Sequence, residues 1–287
     1  MTDMIRGADF QARQLLVALR AGDPTRVAIA LASEVAYSSA GGWRTPRHTA
    51  RLYYQQTMAL VERLNQPRPL GTALVTAGIA AFLEGRFQDG VELCDRAEPI
   101  LRERCTGVTW ELDTAGIFAL FSLYYLGQVR EMARRLPALL QEVQQRSDLY
   151  SETFLRVRVE HLVHLAAEDP ARAREEVRRG IGLWSRQGFH SQHYWEMLAL
   201  GEIDLYCGEA EAAWRRIEER WKALARSLLL RVQGVLIETL NLRGRVALTM
   251  AVARPAEGER FLREAEGYAR RLARQKAPMG RMLRPAR

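Results

Sequence analysis

Apolar residues recur along this chain with the spacing of amphipathic α-helices, and short turn sequences interrupt them at nearly regular intervals. The stretch 77–97 shows the basic unit. Gly85 lies between two amphipathic runs, Phe87 opens the second run, and Gly90 and Cys94 follow on one helical face. Because a helical hairpin cannot bury its apolar stripe alone, this pattern predicts further copies along the chain.

Six turns of this kind are predicted, centred on Gly22, Gly85, Gly127, Glu168, Gly208 and Ala253. Their intervals are 63, 42, 41, 40 and 45 residues, which indicates a period near 41, and an additional helix over 46–64 accounts for the longer first interval. Apolar residues stand three before each turn, at Leu19, Phe82, Tyr124, Leu165, Leu205 and Met250, and nine after it, at Leu31, Cys94, Leu136, Val177, Ile217 and Leu262. The constant register favours a true repeat over an unrelated helical bundle.

Within each predicted unit the first helix is the more apolar and the second the more charged. We therefore expect an all-α fold, a right-handed α-solenoid with first helices on the inner, packed surface and second helices outside, without strands. The predicted domain is single and spans 1–287, with units at about 8–40, 46–105, 108–146, 148–187, 190–227 and 228–275 and a basic tail at 276–287.

Small and aromatic residues around the turns carry a family resemblance. A small residue seven before the turn, an aromatic residue two after it and small residues beyond resemble the tetratricopeptide repeat, as at Gly78, Gly201, Phe87, Gly90, Cys94 and Ala97. The period departs from that repeat, at about 41 instead of about 34 residues.

A more specific resemblance covers nearly the whole chain. Stretches such as IRGADFQARQLLVALRAGDP and ARRLPALLQEVQQRSDLY are similar to the C-terminal helical-repeat region of bacterial serine/threonine protein kinases that carry an AAA-type ATPase module. The resemblance implies a sensing or protein-docking part, because kinase motifs and a Walker A lysine are absent from the sequence. A solenoid needs polar capping units, yet the first unit starts within ten residues of Met1, which favours a fragment of a longer protein.

The net charge and hydropathy of the chain bear on nucleic-acid binding and on membrane insertion. The net charge is +8, from 42 basic and 34 acidic residues, and Lys222 and Lys276 are the only lysines. We give the arginine bias little weight as a sign of nucleic-acid binding, because coding composition produces the same bias. The start of the chain lacks the features of a signal peptide, and the most apolar stretch, 228–253, is interrupted by charged residues, so we expect a cytoplasmic protein that does not enter a membrane.

Cysteine and histidine give weak support for a metal site. Cys94, Cys105 and Cys207 form no CxxC pair, and each is expected to be a small core residue. His161 and His164 form an HxxH pair, as do His190 and His193, but the two pairs lie in different units and a structural role is favoured. We expect no metal and no cofactor.

The sequence does not indicate a catalytic site either. Carboxylates of the first helices, Glu111, Asp113, Glu160, Glu196, Glu202, Asp204 and Glu238, have no nucleophile or phosphate loop beside them, so solvation or pairing with arginine is expected and no catalytic residue is assigned.

Aromatic residues are the best candidates for binding a protein or peptide partner, although core packing is the commoner role at this spacing. Trp110, Tyr125, Tyr194 and Trp195 are the predicted partner-binding residues. The favoured function is a non-catalytic scaffold. The alternative is a helical-repeat arm that resembles those of LuxR-type ATP-dependent transcription regulators, which would present a continuous arginine surface to DNA.

Overall fold

The computed structural model describes residues 4–40 and 47–275, and within these ranges every regular element is helical. The helices are α1 Met4–Ala21, α2 Pro24–Ala40, α3 Arg47–Leu64, α4 Pro67–Leu83, α5 Phe87–Arg104, α6 Thr109–Tyr125, α7 Val129–Gln145, α8 Leu149–Phe154, α9 His161–Ala166, α10 Pro170–Gly182, α11 Ser191–Tyr206, α12 Ala210–Arg226, α13 Gln233–Ala253 and α14 Gly258–Arg274. A π-helical segment, Leu155–Glu160, joins α8 to α9 without a turn.

Left-handed residues form most of the turns between helices. At Gly85 (φ 76°) the chain makes a Schellman motif, in which the Gly85 amide donates to the carbonyl of Phe82 and the Arg86 amide to that of Ala81. The same bond pattern recurs around Gly127, Glu168 and Gly208, and Gly22 is also left-handed. These positions agree with five of the six turns that the sequence predicts.

A second series of left-handed residues lies directly after the predicted helix 46–64 and at the boundaries between predicted units. It comprises Asn65, Gly107, Ser147, Gly188 and Leu228, which follow α3, α5, α7, α10 and α12. Only two of the five are glycine, so composition does not mark them as turns. Leu228 also shortens the helix expected from that residue, since α13 begins at Gln233 after a short 3₁₀ segment, Leu229–Arg231.

Side-chain caps fix two helix starts that the sequence predicts. Asp23 accepts a hydrogen bond from the Thr25 amide at 2.9 Å, directly before the proline that begins α2. Asp169 accepts from the Arg172 amide at 2.9 Å and caps α10 in the same way. The sequence also predicts a cap at Thr45, directly before Pro46, but both residues lie outside the described part of the chain.

The helices group into two compact units, Met1–Gln128 and Val129–Arg287. We call these unit 1 and unit 2. The sequence predicts a single domain, whereas the unit boundary falls inside the predicted hairpin at 108–146, between α6 and α7.

Unit 1 is built around α4, which packs against α2, α3, α5 and α6 and is buried almost along its whole length. Small residues allow this close packing. A Cβ atom on Gly78 would lie 2.7 Å from the Cys94 sulfur atom, and one on Gly90 would lie 2.6 Å from the Ser122 hydroxyl. Neighbouring helices can therefore approach closely because Gly78 and Gly90 have no side chain.

Unit 2 also places alternate helices in contact. The continuous helix from α8 to α9 packs against α11, and α11 packs against α13, while α10 and α12 cover the junctions between them. Tyr194, Met197 and Leu198 of α11 contribute to a core that continues through Ile217 of α12 and Val246 of α13.

Three residues that the sequence assigns to the repeated apolar positions or to the core are exposed, so these predictions are wrong. Leu19 is exposed, because α1 turns Gln11 and Ala18 toward α2 instead. Leu262 is also exposed, and its neighbour Phe261 is buried, because α14 begins at Gly258 after a 3₁₀ segment and no left-handed residue marks this last turn. Cys207 is exposed in the turn after α11, whereas Cys94 is buried as expected.

Candidate functional site

The four predicted partner-binding residues fall into two groups. Trp110 and Tyr125 lie at opposite ends of α6 in unit 1, and Tyr194 and Trp195 are neighbours on α11 in unit 2. The surroundings of the two groups differ.

Trp110 begins a stripe of apolar side chains on α6 that remains accessible. Trp110 is 58% exposed, and the other members of the stripe are partly exposed. Their spacing keeps them on one side of the helix, because successive residues rotate by about 100°. We call this surface the α6 stripe: Trp110, Ile117, Phe118, Phe121, Tyr124 and Tyr125. The opposite side, which includes Ala115 and Ala119, is buried.

The C-terminal half of the α6 stripe rests on two buried aromatic residues. Tyr125 stacks on Phe87 with ring centroids 4.8 Å apart, and Phe121 stacks on Phe82 at 5.4 Å. Phe118 meets Phe82 edge to face at 5.5 Å. These contacts hold the rings in place, so a partner would bind them at low cost in side-chain entropy.

Tyr194 is not a surface residue, and its prediction as a partner contact is wrong. It is 1% exposed and faces α13, where its hydroxyl lies 3.0 Å from Glu238 Oε2 and 3.2 Å from the Val235 carbonyl. Burial raises the pKa of Tyr194, and the negative charge of Glu238 adds to the shift. Tyr194 and Trp195 cannot share a face, because neighbouring residues point in different directions on a helix.

Trp195 lies in a partly buried aromatic group at the start of α11. It contacts Phe154 edge to face at 5.0 Å and Tyr150 at 5.9 Å. Trp184 packs against the outer side of Tyr150 at 6.4 Å, and its indole nitrogen donates to His190 Nδ1 at 3.1 Å. Trp195 thus packs against α8, and it is less accessible than Trp110.

A buried ionic network crosses three helices of unit 2. Arg158 of the π-helical segment is 2.6 Å from Glu238 of α13 and 3.7 Å from Glu202 of α11. His161 Nε2 is 3.1 Å from Glu202 Oε2, and Tyr194 contacts the other oxygen of Glu238. Of the two outcomes expected for Glu202 and Glu238, solvation or pairing with arginine, the structure shows pairing, but their convergence on one arginine was not anticipated.

Burial and neighbouring charges determine the protonation states of Glu202 and His161 in this network. Burial alone would raise the pKa of Glu202, but the hydrogen bond from His161 and the charge of Arg158 lower it to about 2. Burial also lowers the pKa of His161 more strongly than Glu202 raises it. At neutral pH the network therefore joins an ionised carboxylate, a neutral imidazole that donates through Nε2, and a permanent guanidinium charge.

A second charged cluster involves Arg156, which lies two residues before Arg158. Arg156 is 2.6 Å from Glu176 of α10, 3.0 Å from Glu152 and 3.2 Å from Glu160. Burial and the neighbouring charge of Glu176 raise the pKa of Glu160. The two arginines reach different helices because residues two apart on a helix point in nearly opposite directions. Nothing in the pattern LRVRVE distinguishes the π-helical segment from ordinary α-helix, so the sequence analysis missed it.

The remaining histidines make local contacts. His193 Nδ1 accepts from the His190 amide at 3.0 Å, which caps α11. Among residues 4–40 and 47–275, no group of three or more His, Cys, Asp or Glu side chains is arranged to hold a metal ion. In the same ranges, no helix combines the length and hydrophobicity that crossing a membrane requires.

Comparison of the chain with protein-family models, with curated proteins and with solved structures gave no match. The features that bear on function are therefore the α6 stripe, with its exposed Trp110, and the buried networks of unit 2.

Proposed function

We propose that this chain is a non-catalytic scaffold that binds a protein or peptide through the α6 stripe. The observation that carries the proposal is Trp110, a tryptophan more than half exposed at the end of a row of preorganised aromatic side chains. Tryptophan and tyrosine are the residues that most often dominate binding energy at protein interfaces. Their regular spacing along α6 suits an extended peptide or an amphipathic helix.

The proposed architecture is a right-handed α-solenoid of TPR-like hairpins with a period of about 41 residues. Left-handed residues at Asn65, Gly107, Ser147, Gly188 and Leu228 support it, because they follow one another at intervals of 40 to 42 residues. The contacts between alternate helices inside each unit support it as well. In this proposal the chain acts in the cytoplasm as a docking part related to those of bacterial serine/threonine kinases.

The ion pairs favour this scaffold over the alternative of a LuxR-type DNA-binding arm. Arginines of the outer helices, which a DNA-binding surface would need, face carboxylates at short distances. Arg174 lies 2.7 Å from Glu209, and Arg220 lies 3.2 Å from Glu196. Paired arginines neutralise few phosphates, so we expect only weak and strongly salt-dependent binding to DNA.

Selection of peptides from a displayed library against the full chain tests the proposal. For a selected peptide, Trp110→Ala is expected to weaken binding about tenfold or more, because a central tryptophan is lost. Tyr206→Ala is the matched control, since Tyr206 is similarly exposed at 51% but lies on α11 in unit 2. Fluorescence anisotropy measures both affinities.

Two results would contradict the proposal. Selected peptides whose affinity falls with Tyr206→Ala and not with Trp110→Ala would place the binding surface elsewhere. Tight binding of duplex DNA at low salt, together with failure to select any peptide, would favour the transcription-regulator alternative.

A further inference from the structure

The first helix of unit 1 leaves a large apolar surface uncovered. Phe10 is 67% exposed and Val17 is 63% exposed, and Leu16 and Leu19 are also exposed. Single apolar residues at a surface need no explanation, but a group on one short helix indicates an interaction site. This surface is separate from the α6 stripe.

The opposite face of α1 is already fixed to the fold. Gln11 and Ala18 are buried, and the Gln11 side chain donates from Nε2 to the Ala30 carbonyl of α2 at 2.9 Å. The exposed residues are therefore not a surface that a small rotation of α1 would bury against α2. They need another molecule or segment to cover them.

Arginines alternate with the apolar residues on the exposed face. Phe10, Arg13, Val17 and Arg20 follow at intervals of three, four and three residues, so they form one line along the helix, and Leu16 lies beside the arginines. Arg13 and Arg20 are both exposed, and Arg13 contacts Asp9 at 3.0 Å on the same helix. We call Phe10, Arg13, Leu16, Val17 and Arg20 the α1 surface.

We propose that the α1 surface docks an amphipathic helix of a protein partner whose apolar face is bordered by carboxylates. The apolar residues of such a helix would cover Phe10, Leu16 and Val17, and its carboxylates would meet Arg13 and Arg20. The proposal rests on the proposed scaffold function only in taking the partner to be a protein. It concerns a different surface and fails or holds independently of Trp110.

Charge and geometry disfavour two other occupants. A second copy of α1 would bring Arg13 and Arg20 of both copies into one interface, where the Asp9 carboxylates could neutralise only part of the positive charge. A membrane-binding helix needs a continuous apolar face with its cations on the polar side, whereas here the arginines stand in line with Phe10 and Val17. An acidic helix satisfies both kinds of side chain together.

Two designed helical peptides of about 18 residues test the proposal, each long enough to form a helix when bound. Both carry leucines at the spacing of an amphipathic helix, but one has glutamate on both flanks and the other has lysine at the same positions. The full chain is expected to bind the glutamate peptide at least about tenfold more tightly than the lysine peptide in fluorescence anisotropy. Added salt is expected to reduce the difference.

Variants of the full chain locate the binding. R13E/R20E is expected to reverse the preference in favour of the lysine peptide, because the charges on the α1 surface are then inverted. F10S/V17S is expected to weaken binding of both peptides about tenfold or more. Tyr206→Ala, which changes an exposed aromatic residue outside both proposed surfaces, is expected to leave binding unchanged. Circular dichroism checks that each variant retains the helical spectrum of the unmodified chain.

Several outcomes would overturn the proposal. Equal binding of both peptides would remove the charge complementarity, as would an unchanged preference in R13E/R20E. Failure to bind either peptide would remove the docking site. Binding to vesicles of phosphatidylcholine and phosphatidylglycerol that F10S/V17S abolishes, without peptide binding, would assign the surface to a membrane instead.

Discussion

Units 1 and 2 are both built from packed helical hairpins, but they place different chemistry in their interiors. In the described part of unit 1, Glu111 is the one charged residue that is buried. Its partner Arg68, whose guanidinium lies 3.4 Å from the Glu111 carboxylate, is half exposed. Unit 2 buries several charged or titratable side chains, namely Arg156, Arg158, His161, Glu176, His193, Asp204 and Arg243. The same helix arrangement thus tolerates two kinds of core.

The difference shows two ways of joining neighbouring helices. In unit 1 small residues such as Gly78 and Gly90 bring backbones close together, and dispersion forces act over a dense contact. In unit 2 the helices are linked by Arg158, which reaches Glu202 and Glu238 on two other helices. A contact between small residues loses most stability when a substitution adds volume, whereas an ionic network loses most stability when one partner is removed.

The largest expected effect comes from breaking the ionic network. Arg158→Met should lower the free energy of unfolding by about 3 kcal/mol or more, because the removal of one partner leaves two largely buried carboxylates without their cation. Arg68→Met, the matched change in unit 1, should cost at most about 1 kcal/mol, since that pair is partly solvated. Urea unfolding followed by circular dichroism measures both. Equal losses would mean that the two ion pairs do not differ in energy.

A smaller effect is expected from adding volume to unit 1. Gly78→Ala should destabilise the protein by about 1 to 3 kcal/mol, because the new methyl group meets the Cys94 sulfur. Gly201→Ala on α11 should change stability by less than about 1 kcal/mol, since the contact there is with the flexible end of Leu242 and alanine favours the helix. Thermal unfolding compares the two variants.

Cys94→Ala provides the internal control for that comparison. Combined with Gly78→Ala, it should recover part of the lost stability, because it removes the sulfur that the new methyl group meets. If the two substitutions instead destabilise additively, the loss in Gly78→Ala does not arise from this contact.

The smallest expected effect is a dependence on pH confined to unit 2. Burial lowers the folded-state pKa of His161 and of His193 below the usual value of 6.5, so the unfolded chain binds more protons as the pH falls below that value. Unit 2 should therefore lose stability between pH 7.5 and pH 5.5, at about 1.4 kcal/mol for each pKa unit of difference. The Glu202 pKa of about 2 lies below its unfolded value of 4.5, so the stability it contributes is retained in this window and lost only under stronger acid.

Hydrogen exchange with mass spectrometry, corrected for the intrinsic rate at each pH, follows the two units separately. Exchange in α11 should accelerate on acidification, while α4 in unit 1 should change little, because the described part of unit 1 contains no buried histidine. His161→Gln keeps a donor for Glu202 without titrating in this range, so it should reduce the change in α11. A parallel change in both units would show that the buried histidines are not its cause.

Much of the local structure was predictable from the sequence. Gly85, Gly127 and Gly208 mark turns because glycine adopts the left-handed conformation without a steric penalty, and Asp169 followed by proline marks a helix start. Asn65, Ser147 and Leu228 are also left-handed but carry side chains found in many conformations, so their backbone conformation was not predictable, although they lie at the limits of a predicted helix or unit. The candidate site was predicted in part, since Trp110 is exposed and Tyr194 is not.

The sequence by itself determined the all-helical character of the described residues, most turn positions and the helices that would be apolar, because these depend on periodicity and on the conformational limits of single residues. Only the tertiary structure decided which aromatic side chains remain accessible and which charges meet inside unit 2. Both depend on the rotation of each helix against its neighbours. A rotation of one residue separates buried Tyr194 from partly exposed Trp195, and a rotation of two residues separates Arg156, which meets Glu176, from Arg158, which meets Glu238.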